Sequence, residues 1–530
     1  MITGTLIPLG IVAAARIPFS SEMLRVRLVN ALEARLNVDA ELDSLTLRFH
    51  PSLRAIGEGL VLRARGRSDV PPMIEVKTFT VDANLSGLWH RNVSFVRLDG
   101  LRIQIPPNDQ NEEPAATEAA APSVSMEDYL KQVIINSVDA PNSELTILRR
   151  DPTKPARTWA LHQLHVQNVS FATQMPFQTV LTNALPPGEI QASGTFGPWQ
   201  TLDPGRTPLD GEFVFNDADL GVFDGIGGTL SAAGRFRGTI DRIDITGRTQ
   251  TPDFLVSTGG HPVGLTTSYH AVVDATNGNT TLDPVNAAFL NTSVTAKGGV
   301  YEEPGAKGRV IRLNLSISNG RLEDIMWVAV PAPRAPMRGI LQLNTKFVIP
   351  PGKREIVEKL QLDGGFSIQN GRFTDAAVQK KINELSRRAS ARLNDEPSKN
   401  AVGSNFEGRF ALENSQLALP TVRFDVPGAL VELHGRYGMK REDIAFDGNL
   451  YMDAKISQTV TGIKSLLLKA VDPFFRRNGK TVVPLRIGGS RSAPKFGVDV
   501  GRALRRSSNS PFPDPAALSV PIPAVPSAIR

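Results

Sequence analysis

Apolar and polar residues alternate along most of this 530-residue chain. In RFRGTIDRIDITG, residues 235–247, Ile243 and Ile245 alternate with Arg242, Asp244 and Thr246. A period of two sends successive side chains to opposite faces of an extended strand. The same alternation runs through LTLRF (Leu45, Leu47, Phe49), FTVDANL (Phe79, Val81, Ala83, Leu85), LRIQI (Leu101, Ile103, Ile105) and IRLNLSI from Ile311. LQLNTKFVI puts Leu341, Leu343, Phe347 and Ile349 on one face. A phrase, G-x-F or G-x-L, opens one stretch after another: DGEFVF at 210, AGRFRG at 233, DGGFSI at 363, EGRFAL at 407 and DGNLYM at 447. Each reads as the start of a new strand in a continuing antiparallel sheet. TNGN at 276–279, SNG at 318–320 and QNG at 369–371 are turn signals expected to separate strands. No fixed coil period accompanies the repetition, which argues against a solenoid.

Helical spacing breaks the alternation in three places. SEMLRVRLVNALEARLN carries Leu24, Leu28, Ala31, Leu32 and Leu36, with Ser20 or Ser21 placed to cap it. DAAVQKKINELSRRASARLN carries Val378, Ile382, Leu385, Ala389 and Leu393. SQTVTGIKSLLLKAVDPFF carries Val460, Ile463, Leu467 and Val471, and Pro473 stops it. The pattern therefore predicts a mainly β protein with a few helices at the ends of a long, twisted, mostly antiparallel sheet. Residues 108–125, NDQNEEPAATEAAAPSVS, are acidic and Ala/Pro-rich, the composition of a disordered linker. They divide an N-terminal helix-plus-strands unit, 21–107, from a β-rich region, 126–500; residues 501–530 read as a basic, then proline-rich, flexible tail.

Composition narrows the function. Apolar residues make up 41% of the chain, enough for a sizeable core, while aromatics at 6% argue against a stacking surface for nucleic acid. The net charge of +6 is mild for this length. Much of the excess lies between Arg476 and Arg506, where nine Lys or Arg face one acid, Asp499. That segment reads either as a solvated basic surface or as a contact for anionic lipid headgroups. With no cysteine, thiolate metal sites and thiol nucleophiles are excluded. His162 and His165 form an H-x-x-H pair that an unbroken strand would split between its two faces, so no metal site is expected. DGIGGT at 224–229 reads as a turn, and Glu302 and Glu303 in YEEPG as exposed turn charges. No constellation suggests catalysis or a cofactor. Residues 1–20 hold an uncharged run from Ile2 to Ala15, shorter than the roughly 20 residues a membrane span needs. They read as a partial membrane anchor or signal remnant, or else as a buried N-terminal segment.

Two long stretches resemble AsmA-like proteins. One is LNVDAELDSLTLRFHPSLRAIGEGLVLRARGR with PPMIEV and VSFVRLDGLRIQIPP; the other is VRFDVPGALVELHGRYGMKREDIAFDGNLYMDAKISQTVTGIKSLLLKAVDPFFRR. The resemblance covers roughly residues 16–105 and 360–500. It implies an inner-membrane-anchored envelope protein with a periplasmic body, related in style to TamB and to the bridge-like lipid transfer proteins. In those proteins a curved sheet forms an elongated apolar groove that carries acyl chains. The expected ligand is a phospholipid or other acyl lipid, and the expected role is lipid binding or transfer in support of outer-membrane assembly. Ile243, Ile245, Leu341, Leu343, Phe347 and Ile349 are the candidate groove lining. A scaffold acting through envelope protein partners, without lipid, would show the same alternation.

Overall fold

The computed structural model describes residues 21–36, 38–48, 53–65, 71–84, 92–105, 134–147, 156–170, 172–200, 203–256, 259–303, 308–352, 354, 356–392, 402–459, 475–490 and 493–498. The expected anchor at 1–20, the linker at 108–125, the helix over 460–471 and the tail at 501–530 lie outside the described residues. The protein is mainly β with few helices, as the alternation predicts. It divides into two compact units. The first comprises the described residues up to Gly320 with Asp324–Pro333 and Lys346–Val357; the second comprises Arg321–Glu323, Arg334–Thr345 and those from Glu358 onward.

The first unit opens with helix α1 (Ser21–Leu36) and strands β1 (Val38–Glu41), β2 (Ser44–Arg48), β3 (Leu53–Ala64), β4 (Ile74–Ala83), β5 (Asn92–Val93), β6 (Phe95–Ile105), β7 (Ile134–Asp139), β8 (Ser143–Ile147) and β9 (Arg157–Val169). Leu24, Leu28 and Leu32 recur at helical spacing and are buried against Leu60, Leu62, Val76 and Phe79. Each fully buried leucine contributes about 2 kcal/mol. The sheet is mixed here: β6 runs parallel to β7 and β8. A parallel return needs a connection of a dozen residues or more, which residues 106–133 supply in length.

From β9 onward the unit becomes an antiparallel meander through β10 (Met175–Thr182), β11 (Glu189–Phe196), β12 (Pro208–Asp219), β13 (Ile226–Gly227), β14 (Thr229–Thr239), β15 (Arg242–Val256), β16 (Val263–Val273), β17 (Thr280–Phe289), β18 (Thr292–Glu302) and β19 (Arg309–Arg321). Each long strand pairs with the next, and the two-residue β13 pairs with the far end of β15. Helix α2 (Leu322–Ala329) follows; its apolar LEDIMWVA escaped the sequence reading because eight residues give too short a period to separate from a strand. Asp324, buried at 5% exposure, accepts from Asn291 N and Thr292 Oγ1 and ties the helix to the β17–β18 hairpin.

Strand β20 (Met337–Ile349) contributes to both units. The second unit continues through β21 (Gln361–Phe373), helix α3 (Ala376–Ala389), β22 (Ser404–Glu413), β23 (Gln416–Val426), β24 (Ala429–Gly438), β25 (Asp443–Met452), β26 (Arg476–Arg477), β27 (Lys480–Ser490) and β28 (Ala493–Val498). Its long strands again pair antiparallel in sequence order. Asp375 caps α3 by accepting from Ala377 N and Val378 N. The helix buries Gln379, Ser386 and Ala389, while Val378, expected on its apolar face, is exposed. Gln379 turns inward because Phe373 N, Asn383 Oδ1 and the Val402 carbonyl satisfy its amide.

Two turn expectations fail. SNG at 318–320 lies within β19 and QNG at 369–371 within β21. At QNG, Asn370 adopts φ 53° and the register with β22 shifts between Ile368 and Gly371, so the glycine serves a bulge before a helix. TNGN does turn: Asp274 accepts from Thr276 and Asn277 between β16 and β17.

The recurring G-x-F phrase has a packing cause. A Cβ on Gly211 would lie 2.6 Å from Phe236 Cζ, one on Gly234 would lie 2.9 Å from Phe213 Cε1, and one on Gly408 would lie 3.0 Å from Phe366 Cε1. Each ring occupies the space that the side chain of a cross-strand residue would otherwise take. Gly211→Val should therefore destabilise the protein by about 1–3 kcal/mol, because the added carbons meet both Phe236 and the Ser193 carbonyl. Gly264→Ala, whose Cβ would meet only Pro252 O at 3.9 Å, should leave the urea midpoint nearly unchanged.

Candidate functional site

The ladder registers carry one apolar face across successive strands of the first unit. One row runs Leu209, Gly238, Ile243, Val273, Thr280, Val300 and Ile311, from β12 to β19. The adjacent row runs Phe177, Gly194, Gly211, Phe236, Ile245, Ala271, Leu282, Gly298 and Leu313. The opposite side of the same strands presents Asp210, Glu212, Arg235, Arg237, Asp244 and Arg248.

Burial separates this face from a closed core. In the N-terminal part Phe79, Leu60 and Ile135 are 0% exposed beneath α1 and its neighbours. From β12 to β19 the large side chains Phe213, Phe215, Phe236, Ile243, Ile245, Leu313 and Leu315 are only half-buried, although they point to the same side as their apolar neighbours. Facing sheets in a sandwich bury such residues fully. The described residues provide no such cover for them.

The second unit repeats the arrangement. Ala389, Ile382 and Leu385 of α3 close one end of its face over Val426, Ala429, Leu450, Met452 and Val483. Beyond the helix an aromatic cluster lies on the sheet, with Phe406 and Phe424 ring centroids 4.6 Å apart and Phe366 and Phe410 6.4 Å apart.

The six candidate lining residues fall on two strands. Ile243 and Ile245 sit half-buried in β15, in register with Gly238 and Phe236 on one side and Val273 and Ala271 on the other. On β20, Leu341 is buried at 5% exposure, and Leu343, Phe347 and Ile349 are half-buried; Arg338, Asn344 and Lys346 are exposed. Gln342 and Val348, on the other side of the strand, are half-buried as well, so burial along β20 follows the alternation only in part. Alternation in the two candidate stretches misses the aromatic residues of these faces, Phe213 and Phe236 in the first unit and Phe366 and Phe424 in the second. The G-x-F phrase was the signal that marked several of them.

The polar side is built from ion pairs and histidines. His165 Nδ1 meets Asp139 Oδ1 at 2.5 Å, and His162 Nε2 meets Thr182 Oγ1 at 2.8 Å. The opposite-face expectation for this pair assumed unbroken alternation; a bulge between Gln163 and Leu161, opposite Val180 and Leu181, interrupts it at His162. No group of three or more potential metal ligands occurs among the described residues. His270 lies between the Asp283 carbonyl, 2.9 Å from Nδ1, and Asp244 Oδ1, 3.2 Å from Nε2. Both partners only accept, so the imidazolium satisfies both. The Asp283 carbonyl first, and then the Asp244 side chain, hold the His270 pKa above the ordinary imidazole value.

No protein-family model, no curated protein and no solved structure matches the chain.

A raised folded-state pKa makes the His270 contribution complete below the unfolded value of about 6.5, and the contribution fades as pH climbs through the folded value. His270→Gln should accordingly cost stability at pH below about 6.5 and progressively less above it. Urea midpoints of both proteins across that range test this. The effect should be small, since the His270 side chain is 40% exposed.

Proposed function

We propose that this chain is a non-catalytic lipid-binding or lipid-transfer protein of a bacterial envelope, with acyl chains lying on its apolar sheet face. The observation that carries the reading is a continuous apolar face across successive strands whose large side chains remain half-buried. A contiguous apolar face left partly accessible to solvent supports a binding role. Each buried CH₂ of a bound chain would gain about 0.8 kcal/mol. Glycines beneath the aromatic rings lower the relief of the face, which suits a flexible hydrocarbon tail better than a protruding protein knob. The ligand is a phospholipid or other acyl lipid.

The resemblance of both ends to AsmA-like proteins supports an inner-membrane anchor, a periplasmic body and a role in outer-membrane assembly and homeostasis. No helix among the described residues is long and apolar enough to cross a membrane. The proposed anchor belongs to residues 1–20, outside that set.

The test is lipid extraction and native mass spectrometry of the purified chain, alone and as Phe236→Asp and Leu343→Asp. The chain as purified should carry acyl lipid. The variants should keep their β circular dichroism and lose it, because a carboxylate on an open face stays hydrated but repels hydrocarbon. Absence of lipid from the unmodified protein, or unfolding of both variants, would overturn the reading.

A further inference from the structure

The other side of the first unit's sheet holds a second feature, independent of the lipid reading. An open depression of about 720 Å³ is floored by β9, β10, β11, β12 and β14. The ladder aligns one polar side chain per strand across it: His165, Gln178, Ser193, Glu212 and Arg235. In the adjacent row Gln163 and Gln191 flank Val180. The polar groups therefore repeat at the strand spacing of about 4.8 Å, perpendicular to the chain direction.

The chemistry of this row is specific. Each glutamine amide and the serine hydroxyl both donate and accept, whereas Glu212 only accepts and Arg235 only donates. The His165 ring is fixed by Asp139 and by Gln167 Nε2 at 3.1 Å. Arg235 also differs from its neighbours. Arg237 meets Asp210 at 3.8 Å and Arg242 meets Asp244 at 3.9 Å. Arg235 and Arg248 have no such partner among the described residues. They are diagonal neighbours on β14 and β15, since Arg235 pairs with Thr246 and Arg248 with Ala233. Glu212 faces Arg235 across the ladder without forming an ion pair with it, so both exposed guanidinium groups are open to an added anion.

We propose that this depression binds an acidic oligosaccharide laid across the strands. The sugar hydroxyls exchange hydrogen bonds with Gln178, Ser193, Gln191 and Glu212, and an acidic substituent sits at Arg235, whose diagonal neighbour Arg248 lies outside the lining. Glu212 beside Arg235 disfavours a continuous polyanion. Phe213 is the one aromatic residue of the lining, and its ring covers Gly234 on the apolar side of the sheet, where a nucleobase in the depression could not stack on it.

Isothermal titration of the full chain tests this with three probes: a galacturonic acid hexamer, maltohexaose and inorganic phosphate. The acidic hexamer should bind more tightly than maltohexaose, and phosphate should not displace it. Arg235→Ala should weaken the hexamer about tenfold, the loss of one charge-assisted hydrogen bond, and leave maltohexaose unaffected. Gln178→Ala should weaken both saccharides. Arg237→Ala removes the same charge outside the depression and should change neither. Failure of the hexamer to bind, displacement by phosphate alone, or wild-type affinity in both Arg235→Ala and Gln178→Ala would overturn the assignment.

Discussion

Every strand from β10 to β19 finds its backbone hydrogen bonds in the strands immediately before and after it, apart from the short β13, and this ladder constrains everything else. Because each partner is a sequence neighbour, register passes from hairpin to hairpin without a long-range return. A slip of one residue would turn every side chain to the other side of the sheet. The bulges that the ladder contains, such as those at Thr251/Phe254, Tyr269/Ala271 and Leu282/Val285, move from strand to strand and keep the apolar rows aligned. The result is a sheet with two chemically distinct sides.

An apolar sheet face normally finds cover, and among the described residues cover is supplied only locally. In the first unit α1 seals the opening strands, and there the side chains reach full burial. In the second, α3 seals the region around Ala429 and Met452. Away from these helices the apolar residues shield one another, and the glycine–aromatic pairs shield the backbone. Rings packed over glycines cover backbone that would otherwise lie bare on this face. The proposed lipid site lies on this face. The polar side is held by cross-strand ion pairs such as Arg54–Asp82 at 2.6 Å and Arg486–Asp447 at 3.0 Å. Exposed pairs of this kind contribute little each and chiefly keep the side hydrated.

The period of two in residues 235–247 and 341–349 was enough to assign strand, face and polarity, because side-chain direction in an extended chain follows from backbone geometry alone. The leucine spacing of α1 was equally legible. What misled was local punctuation. SNG and QNG carry turn residues, yet a positive φ at Asn370 serves a bulge as well as a turn, and only the partner strand decides between them. His162 was assigned a face by counting, and one inserted residue undid the count. Val378 has the hydrophobicity of a core position, but Gln379 takes the inward place because three partners satisfy its amide there.

The sequence by itself determined the class of fold, the strand alternation, the main helical stripes and the residues that could line an apolar face. These depend on interactions between near neighbours along the chain, or on a repeat visible without folding. Only the tertiary structure decided how those residues line up. It placed Gly211 under Phe236, joined Ile243 to Val273 across a ladder, left Phe213 half-buried where Phe79 is sealed, and set Gln178, Ser193 and Arg235 in one row. Burial and cross-strand adjacency are properties of pairs distant in sequence, fixed by register, and alternation alone is blind to register.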